Sequence, residues 1–326
     1  MNTPIEKFEV VEATKEDHRN MLNFLVTNYP DLGWSKEFLE WQYYRNPAGT
    51  AKGWVAKHDG NVIANYTAIP HKLYVKGQIE LSWRVQDVIT HPDHRGMGLY
   101  SKLSDAANMF LQREDFPVNF TFPNEKSHQA FIRRKWINPH RIPLWILHKP
   151  QKVKDARITL HMEPISEFTG ADESIWKNYR QNAHFALERS ADYLNWRYIQ
   201  NPRGGYFPFR ITDGAKSAIC IFKKYGTELG DKFSHLIDCF YENGFTQLEE
   251  IILYFIEYSK KQGTTLASAW SQPNSELAGY LKKHGFELDE HITRWLVLNI
   301  NSTKLNEDEI CEFSNWHISM GDTDVF

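Results

Sequence analysis

The sequence predicts an α/β protein built from two copies of one unit in tandem, and three observations support this prediction. The chain has 326 residues, which is too many for one ordinary core and suits two domains of roughly 150 residues each. Residues 38–49 (FLEWQYYRNPAG) and 193–204 (YLNWRYIQNPRG) are identical at six of twelve positions, at an offset of 155. Strand-like and helix-like segments also follow one another in the same order in both halves.

Two further landmarks recur in the same order. The turn at residues 58–60 (HDG) is echoed at 212–214 (TDG), and the Pro-Asn pair at 123–124 is echoed at 273–274. Three matches in register favour a duplicated domain over chance. We therefore expect an N-terminal domain at 1–148, a polar linker at 149–157, a degenerate C-terminal copy at 158–300 and a tail at 301–326.

Capping residues and turn residues delimit the predicted elements of the first copy. Thr14 with Asp17 predicts the start of a helix, and Ser35 predicts the start of the next, which the Asn46-Pro47 pair ends. The Asp59-Gly60 pair predicts a hairpin turn. The expected strands are 7–13, 52–57, 61–75, 81–90 and 117–122, and the later helices are 98–113 and 125–134.

The second copy repeats this order of elements with weaker motifs. Its expected strands are 207–211, 216–223, 233–240 and 264–270, and its expected helices are 246–262 and 275–284.

Composition argues against several classes of function. The net charge of −3 is too balanced for a general nucleic-acid binder, which normally has a clear basic excess. No apolar run approaches the ~20 residues that span a bilayer, and the first ten residues lack the order of a secretory signal. Cys220, Cys239 and Cys311 stand far apart, as expected for reduced thiols. We expect a cytoplasmic protein with no nucleic-acid or membrane partner.

Residues 85–103 (VQDVITHPDHRGMGLYSKL) predict a phosphate site. A β-branched strand runs into His91-Pro92, then into Arg95-Gly96-Met97-Gly98, and then into an amphipathic helix. Glycines let successive backbone N–H groups point inward, and the helix dipole adds about half a positive charge. A glycine turn alone more often marks a tight connection between two elements than a phosphate site. The residues around the turn therefore decide between these two interpretations.

Those residues resemble motif A of the GNAT acetyltransferases, whose loop reads Arg/Gln-x-x-Gly-x-Gly/Ala after a Val-x-Pro strand end. Thr90-His91-Pro92 takes the place of Val-x-Pro, and Arg95 and Gly98 fall on the motif, whereas Tyr100 stands where Gly or Ala is usual. Residues 122–137 (FPNEKSHQAFIRRKWI) similarly resemble motif B of the family.

The resemblance implies two tandem GNAT-like domains, each a mixed, mostly antiparallel, twisted sheet flanked by helices. It is specific in the first copy and weak in the second, which keeps Gly244 but has no Arg-Gly-x-Gly loop. We therefore expect only the first copy to bind acetyl-CoA or another acyl-CoA, and the second to complete the acceptor cleft. The residues implied to bind CoA are Val88, Ile89, Thr90, Arg95, Gly96, Met97, Gly98, Leu99, Tyr100, Ser101, Asn124, Ser127 and Phe131.

The resemblance also implies a mechanism of direct attack by an amine on the thioester. A backbone N–H near Ile89 or Thr90 would stabilise the oxyanion, a contribution of typically ~3 kcal/mol. An amine is mostly protonated at pH 7, so a base must take a proton. Asp87 is the first candidate, with a purely structural carboxylate as an equal alternative, and His91 and His128 are second choices.

The general acid of the family is a Tyr on motif B, and Phe131 occupies that position here. Tyr100 or water would then protonate the departing thiolate, or CoA leaves unprotonated. A terminal carboxylate acting as the base, as in related tandem enzymes, is a weaker alternative. The pair His91 and His94 lacks a third ligand nearby, so no metal is expected.

The leading hypothesis is an N-acyltransferase that uses acetyl-CoA and acts on a primary amine of a small molecule such as an amino sugar, as a monomer or homodimer. Two alternatives remain. A non-catalytic CoA-binding or scaffold protein is favoured by Phe131 and the degenerate second copy. A Fem-type transferase, which takes aminoacyl groups from tRNA, is disfavoured by the intact CoA loop and the acidic net charge.

Overall fold

The computed structural model describes residues 8–30, 33–112, 116–151, 158–226, 232–289, 295–301 and 305–325. Most of the linker predicted at 149–157 lies outside the described residues.

The first half confirms the predicted elements to within a few residues. It also contains two strands after the last predicted helix, at Ile137–Arg141 and Leu144–His148, that the sequence patterns did not predict. The strands are β1 (Glu9–Glu12), β2 (Lys52–His58), β3 (Asn61–Val75), β4 (Gln78–Thr90), β5 (Val118–Thr121), β6 (Ile137–Arg141) and β7 (Leu144–His148), and the helices are α1 (Lys15–Asn28), α2 (Lys36–Tyr44), α3 (Leu99–Leu111) and α4 (Glu125–Arg133).

The second half confirms the predicted strands and helices in the same way, and α6 continues into a π-helical turn at Asn195–Ile199. The tail expected at 301–326 also carries regular structure. The strands are β8 (His161–Pro164), β9 (Phe185–Leu187), β10 (Tyr206–Thr212), β11 (Ser217–Gly226), β12 (Lys232–Tyr241), β13 (Leu266–Trp270), β14 (Glu287–Asp289), β15 (Trp295–Ile300) and β16 (Trp316–His317), and the helices are α5 (Gly170–Tyr179), α6 (Ala191–Leu194), α7 (Leu248–Lys261), α8 (Glu276–Lys283) and α9 (Glu307–Cys311).

The predicted helix starts rest on side-chain caps. Thr14 Oγ1 accepts a hydrogen bond from the Asp17 N–H at 3.1 Å, and Asp17 Oδ2 accepts one from the Thr14 N–H at 3.0 Å. Ser35 Oγ accepts one from the Phe38 N–H at 3.0 Å. These caps satisfy N–H groups that the first turn of a helix leaves without partners.

The described strands form two mixed sheets with the same internal order. The first sheet runs β1-β2-β3-β4-β5-β15-β6, with β9 paired to β3 and β16 paired to β9, and the second runs β14-β7-β13-β12-β11-β10-β8. The pairs β4–β5, β12–β13 and β9–β16 are parallel, and the others are antiparallel. The sheets are therefore mixed and mostly antiparallel.

The halves exchange one strand each. Strand β15 from the second half lies between β5 and β6 of the first sheet, and β7 from the first half lies between β13 and β14 of the second. Each sheet is thus continuous only because it contains a strand from the other half, and both sheets cross the domain boundary predicted at residue 148.

A shared apolar core joins the two sheets. Leu73, Ile237, Leu298 and Trp316, from both sheets, are buried in one cluster. Helix α3 packs into a separate cluster of the first sheet and α7 into one of the second, whereas Trp176 of α5 lies in the shared cluster. Burial of this apolar area is the main source of stability for both sheets.

Trp41 and Trp196, which occupy the same position of the two repeats, stack on each other. Their ring centroids lie 4.5 Å apart with an interplanar angle of 14°. Trp41 Nε1 donates to the Trp196 carbonyl at 2.8 Å, and Trp196 Nε1 donates to the Trp41 carbonyl at 3.1 Å. The contact is reciprocal, as at an interface between symmetry-related copies.

Replacing Trp41 by Ala should lower the free energy of unfolding by about 3–5 kcal/mol, because it removes a buried ring and leaves the Trp196 indole without its stacking partner. Urea unfolding would measure this. The double variant W41A/W196A should cost clearly less than the sum of the two single variants, because the rings contact each other. Met109→Ala, at a side chain that is 86% exposed, should change stability by less than about 0.5 kcal/mol. Additive tryptophan variants would contradict the coupling.

Candidate active site

The strands β4 and β5 diverge and leave a cavity between them. Their parallel pairing is limited to Arg84 and Phe120. Beyond that point lies a cavity of about 210 Å³, lined by residues 84–89 of β4, by residues 121–124 with Ser127 and Phe131, and by residues 323–325. A cleft at the carboxyl ends of parallel strands is a common place for a ligand.

The glycine loop that follows β4 ends at the N-terminus of α3. Gly96 and Gly98 have φ values of +81° and +73°, in the left-handed region that favours glycine. A Cβ added at either position would meet no atom within 4 Å. Gly98 is the N-cap of α3 and makes no side-chain cap, so the first N–H groups of the helix, from Leu99 onwards, remain available. This geometry fits a phosphate group.

Arg95 adds a cation at the mouth of this loop. Its Nη2 donates to the Tyr29 hydroxyl at 2.8 Å, and its Nε donates to the Thr90 carbonyl at 3.4 Å. The guanidinium is therefore held between α1 and the end of β4. An arginine beside free helix N–H groups strengthens the attraction for an anion.

The corresponding helix N-terminus in the second half is acidic. Glu249 and Glu250 lie in the first turn of α7. Glu250 Oε2 accepts the Leu160 N–H at 3.2 Å, and Glu249 accepts hydrogen bonds from Lys283 at 2.9 Å and His284 at 2.8 Å. Two carboxylates at this position repel a phosphate, so the two halves differ in their capacity to hold one.

Asp87 lies at a bulge in β4. Its φ is +52°, and the register with β3 shifts between Asn65 and Thr67. The Tyr43 hydroxyl donates to Asp87 Oδ2 at 2.8 Å, and Gln86 Nε2 donates to the same oxygen at 2.9 Å. Asn65 Nδ2 donates to the Asp87 carbonyl at 2.7 Å. A bulge re-aims a side chain relative to the sheet, and here it fixes a carboxylate at the cavity wall.

Burial and the negative charge of Asp324 raise the pKa of Asp87 to about 6. Hydrogen bonds from Gln86 and Tyr43, followed by the charge of Arg84, offset part of this rise. A carboxylate with a pKa close to the working pH is suited to accept and release a proton.

Residues 314–325, which we call the C-terminal strap, reach the cavity and are held there by hydrogen bonds from three buried arginines. Arg189 Nη2 donates to Ser319 Oγ at 2.9 Å and to Asp322 Oδ1 at 2.8 Å. Arg197 donates to the carbonyls of residue 321 at 3.2 Å and residue 323 at 2.7 Å, and Arg84 donates to the Asp322 carbonyl at 2.7 Å. These bonds place residues 323–325 against the cavity. The sequence analysis pointed to this end of the chain only through the terminal carboxylate, which belongs to the last residue and lies outside the described residues.

The other residues predicted for the site fall into two groups. Those of the first group line the cavity or form the loop, and Asn124 also caps α4, because its Oδ1 accepts the Ser127 N–H at 3.0 Å. The cavity is lined by Val88, Ile89, Asn124, Ser127 and Phe131, and the loop and first turn of α3 contain Arg95, Gly96, Met97, Gly98, Leu99 and Ser101.

The second group lies elsewhere. The Tyr100 ring packs against Phe131 and Tyr66 at centroid distances of 6.1 and 6.4 Å, and burial raises its pKa to about 12. The His91 ring packs on Phe24 at 5.3 Å. Thr90, His91, Tyr100 and His128 are not among the residues that line the cavity. Of the proposed acid and base side chains, Asp87 alone lines it.

Other features bear on the class of protein. Within the described ranges, no group of three or more His, Cys, Asp or Glu side chains is placed to hold a metal ion. None of the helices described is both long and apolar enough to cross a lipid bilayer. Cys220, Cys239 and Cys311 are free thiols.

The family comparison agrees with the loop and the diverging strands. Residues 9–135 match the family model of the acetyltransferase (GNAT) domain. This match supports an acyltransferase domain of the GNAT type in the first half of the chain. No curated protein matches the chain.

Solved structures share the fold over most of the chain. A GCN5-related N-acetyltransferase from Anabaena variabilis is 16% identical, with a TM-score of 0.68 over 91% of this chain and 73% of that one. A protein from Enterococcus faecalis described as a probable N-acyltransferase is 12% identical, with a TM-score of 0.67 over 90% and 73%. N-myristoyltransferase of Saccharomyces cerevisiae with bound myristoyl-CoA is 14% identical, with a TM-score of 0.59 over 94% and 87%. Identities this low show a common fold.

The raised pKa of Asp87 predicts a pH-dependent effect of Asp87→Asn. Since the folded-state pKa of about 6 exceeds the ordinary value of 3.8, the folded wild type loses stability as the pH rises from about 4 to about 6. Asn cannot titrate, so D87N should gain roughly 3 kcal/mol relative to the wild type over that interval, at 1.36 kcal/mol per pKa unit. Urea unfolding at several pH values measures this. When both the wild type and D87N also carry Asp324→Asn, the gain in stability of D87N over that interval should be smaller. A gain that does not depend on pH would contradict the assignment of the raised pKa to Asp87.

Proposed function

We propose that this chain is an N-acyltransferase that uses acetyl-CoA or another acyl-CoA and acts on a primary amine of a small molecule, such as an amino sugar. One observation carries the proposal: a single strand, β4, supplies the partly buried Asp87 and leads directly into an open glycine loop at a helix N-terminus. A proton acceptor and an anion cradle are thereby fixed relative to each other by one continuous backbone.

The residues present fit the diphosphate and the arm of CoA. The loop with Arg95, Gly96 and Gly98 offers N–H groups and a cation to the diphosphate. Asn124 and Ser127 line the cavity on the opposite side, where they would contact the arm. Bound there, acyl-CoA supplies a thioester carbonyl as the electrophile between the diverging strands.

Asp87 would act as the general base. The acceptor amine attacks the carbonyl carbon and forms the C–N bond while its proton passes to Asp87, and the C–S bond breaks with its electron pair going to the thiolate of CoA. A backbone N–H near Ile89 or Thr90 would polarise the carbonyl oxygen. Phe131, which lines the cavity at 2% exposure, has no proton to give, so water or solvent would protonate the thiolate.

We infer that the two halves are duplicated GNAT-like domains, at 1–148 and 158–300. Both sheets have the same strand order. The Tyr43–Asp87 hydrogen bond of 2.8 Å has a counterpart in Tyr198–Asp238 at 3.1 Å, at offsets of 155 and 151 in the chain. The second half would complete the acceptor cleft, because its strap borders the cavity.

A second candidate function is CoA binding without catalysis. Phe131 favours it, since the cavity presents a phenyl ring where the resemblance implies a Tyr. The two functions differ in one observable, the release of free CoA thiol in the presence of an amine.

Binding of CoA to the glycine loop predicts the effect of Arg95→Glu. Reversing the charge beside the diphosphate should abolish the increase in Tm that CoA gives to the wild type. Thermal shift with CoA, acetyl-CoA and no ligand measures this. The matched variant Arg19→Glu changes an exposed arginine of α1 and should keep the full shift. Full CoA affinity in R95E would place the diphosphate elsewhere, and no shift in the wild type would count against both candidate functions.

General-base catalysis predicts the effect of Asp87→Asn on activity. D87N should lower kcat by about 10²-fold or more while leaving the CoA-induced shift in Tm intact, as measured by thiol release across a panel of primary amines that includes amino sugars. Because the pKa of Asp87 is about 6, kcat/KM of the wild type should rise through that pH, and the midpoint should move lower in Asp324→Asn. Thiol release at the wild-type rate in D87N would exclude Asp87 as the base.

A further inference from the structure

A second cavity lies in the second half, at the place that corresponds to the candidate active site. Strands β12 and β13 pair in parallel up to Leu236 and Ala269 and then part. The space between them, about 210 Å³, is lined by residues of β12, of α8 and of the C-terminal strap. It shares no lining residue with the cavity beside Asp87, so it is a separate site.

The surroundings of this second cavity do not suit a nucleotide. The helix that follows β12 begins with Glu249 and Glu250, which repel phosphate groups. Its volume of about 210 Å³ limits the ligand, or the part of a ligand that enters it, to a small group. The ligand is therefore small and carries no phosphate.

The cavity walls combine aromatic rings with uncharged hydrogen-bonding groups and two carboxylates, those of Asp238 and Glu276. Aromatic faces pack against C–H groups, whereas amides and hydroxyls exchange hydrogen bonds with O–H groups. This combination matches a sugar ring or a cyclic polyol, which has both kinds of surface. The aromatic residues are Tyr179, Tyr241, Trp270 and Trp316, and the uncharged polar residues include Asn182 and Gln272.

Two buried polar atoms at this wall lack partners among the described residues. Asp238 Oδ1 and His317 Nε2 lie 3.7 Å apart, which is too far for a direct hydrogen bond, and neither has another hydrogen-bond partner. Buried polar atoms are normally satisfied. A hydroxyl group placed beside both atoms would donate its O–H to the Asp238 carboxylate and accept, through its oxygen, from the His317 N–H.

The charge of Asp238 is already balanced. Its Oδ2 accepts from Arg189 Nε at 2.6 Å. Burial alone would raise the pKa of Asp238, but the charge of Arg189, together with His317, holds it well below its usual range. A cationic ligand would therefore gain little from this carboxylate. The other carboxylate of the wall, that of Glu276, faces the Tyr241 hydroxyl, whose pKa is raised by burial and in part by this charge. A neutral ligand that donates a hydroxyl hydrogen bond to Asp238 therefore fits the site better.

We propose that this cavity binds a neutral, hydroxyl-rich small molecule of the size of a monosaccharide, with one hydroxyl placed between Asp238 and His317. The proposal does not depend on the proposed acyl transfer, because the site shares no residue with the CoA cavity.

Saturation-transfer NMR on the full chain would test this with D-glucose, N-acetyl-D-glucosamine and myo-inositol as probes. We expect transfer to at least one probe from the aromatic protons of the protein, and no loss of transfer when CoA is added. Absence of transfer to all three probes would overturn the proposal. Displacement of the bound probe by CoA would also overturn it, because it would assign the sugar to the cavity beside Asp87.

Two variants locate the probe in the cavity. Ala183→Phe adds a ring at a lining residue and should weaken probe binding at least tenfold, whereas the matched variant Ala171→Phe, at an exposed position of α5, should not. His317→Gln should weaken binding about tenfold by removing the imidazole. Unchanged probe binding in A183F would contradict the proposed site. If A183F does not fold, unchanged binding in H317Q would contradict it instead.

Discussion

Much of this structure depends on one buried guanidinium, that of Arg189. It has no exposed side-chain surface and bonds to Asp238, Asp322 and Ser319 at 2.6 to 2.9 Å. A charge removed from water is tolerable only with such complete pairing. The same group therefore ties β12 of the second sheet to the C-terminal strap. The strap in turn carries Asp324, whose charge contributes to the raised pKa of Asp87. A structural ion pair in one half thus influences the protonation of a carboxylate in the other.

Both halves contain the same local arrangement of a tyrosine and an aspartate, but the carboxylate has a different role in each half. In each, a tyrosine hydroxyl donates to an aspartate on the strand that diverges from its parallel neighbour, in the pairs Tyr43–Asp87 and Tyr198–Asp238. The hydrogen-bond donors to Asp87 are uncharged, so burial dominates and its pKa rises. Arg189 pairs with Asp238, so that carboxylate stays ionised. A neighbouring charge, rather than the fold, separates a group that can exchange protons from one that serves as an anchor.

The sequence allowed accurate prediction of elements whose signals are local. Alternation, caps such as Thr14 with Asp17, and the glycines at 96 and 98 each act within a few residues. The exchange of β7 and β15 could not be predicted, because alternation of apolar and polar residues identifies a strand but not the strands that pair with it. The strap was missed for a similar reason, since its position depends on arginines more than a hundred residues away. The Asp238 counterpart could have been found by extending the repeat alignment through residues 234–241. The partial burial of the Tyr100 ring against Phe131 follows from packing that a motif does not encode.

The exchanged strands also constrain how the chain folds during its synthesis. Strand β15 fills the place between β5 and β6, yet it is synthesised long after both. A nascent chain that has emerged only through the first half must hold open a gap bordered by two unpaired strand edges, which are sites of unwanted association. Neither half is then a self-sufficient folding unit. Two fragments cut at the connection between the halves would each carry the strand that the other lacks, and they would have to recombine before either sheet could close.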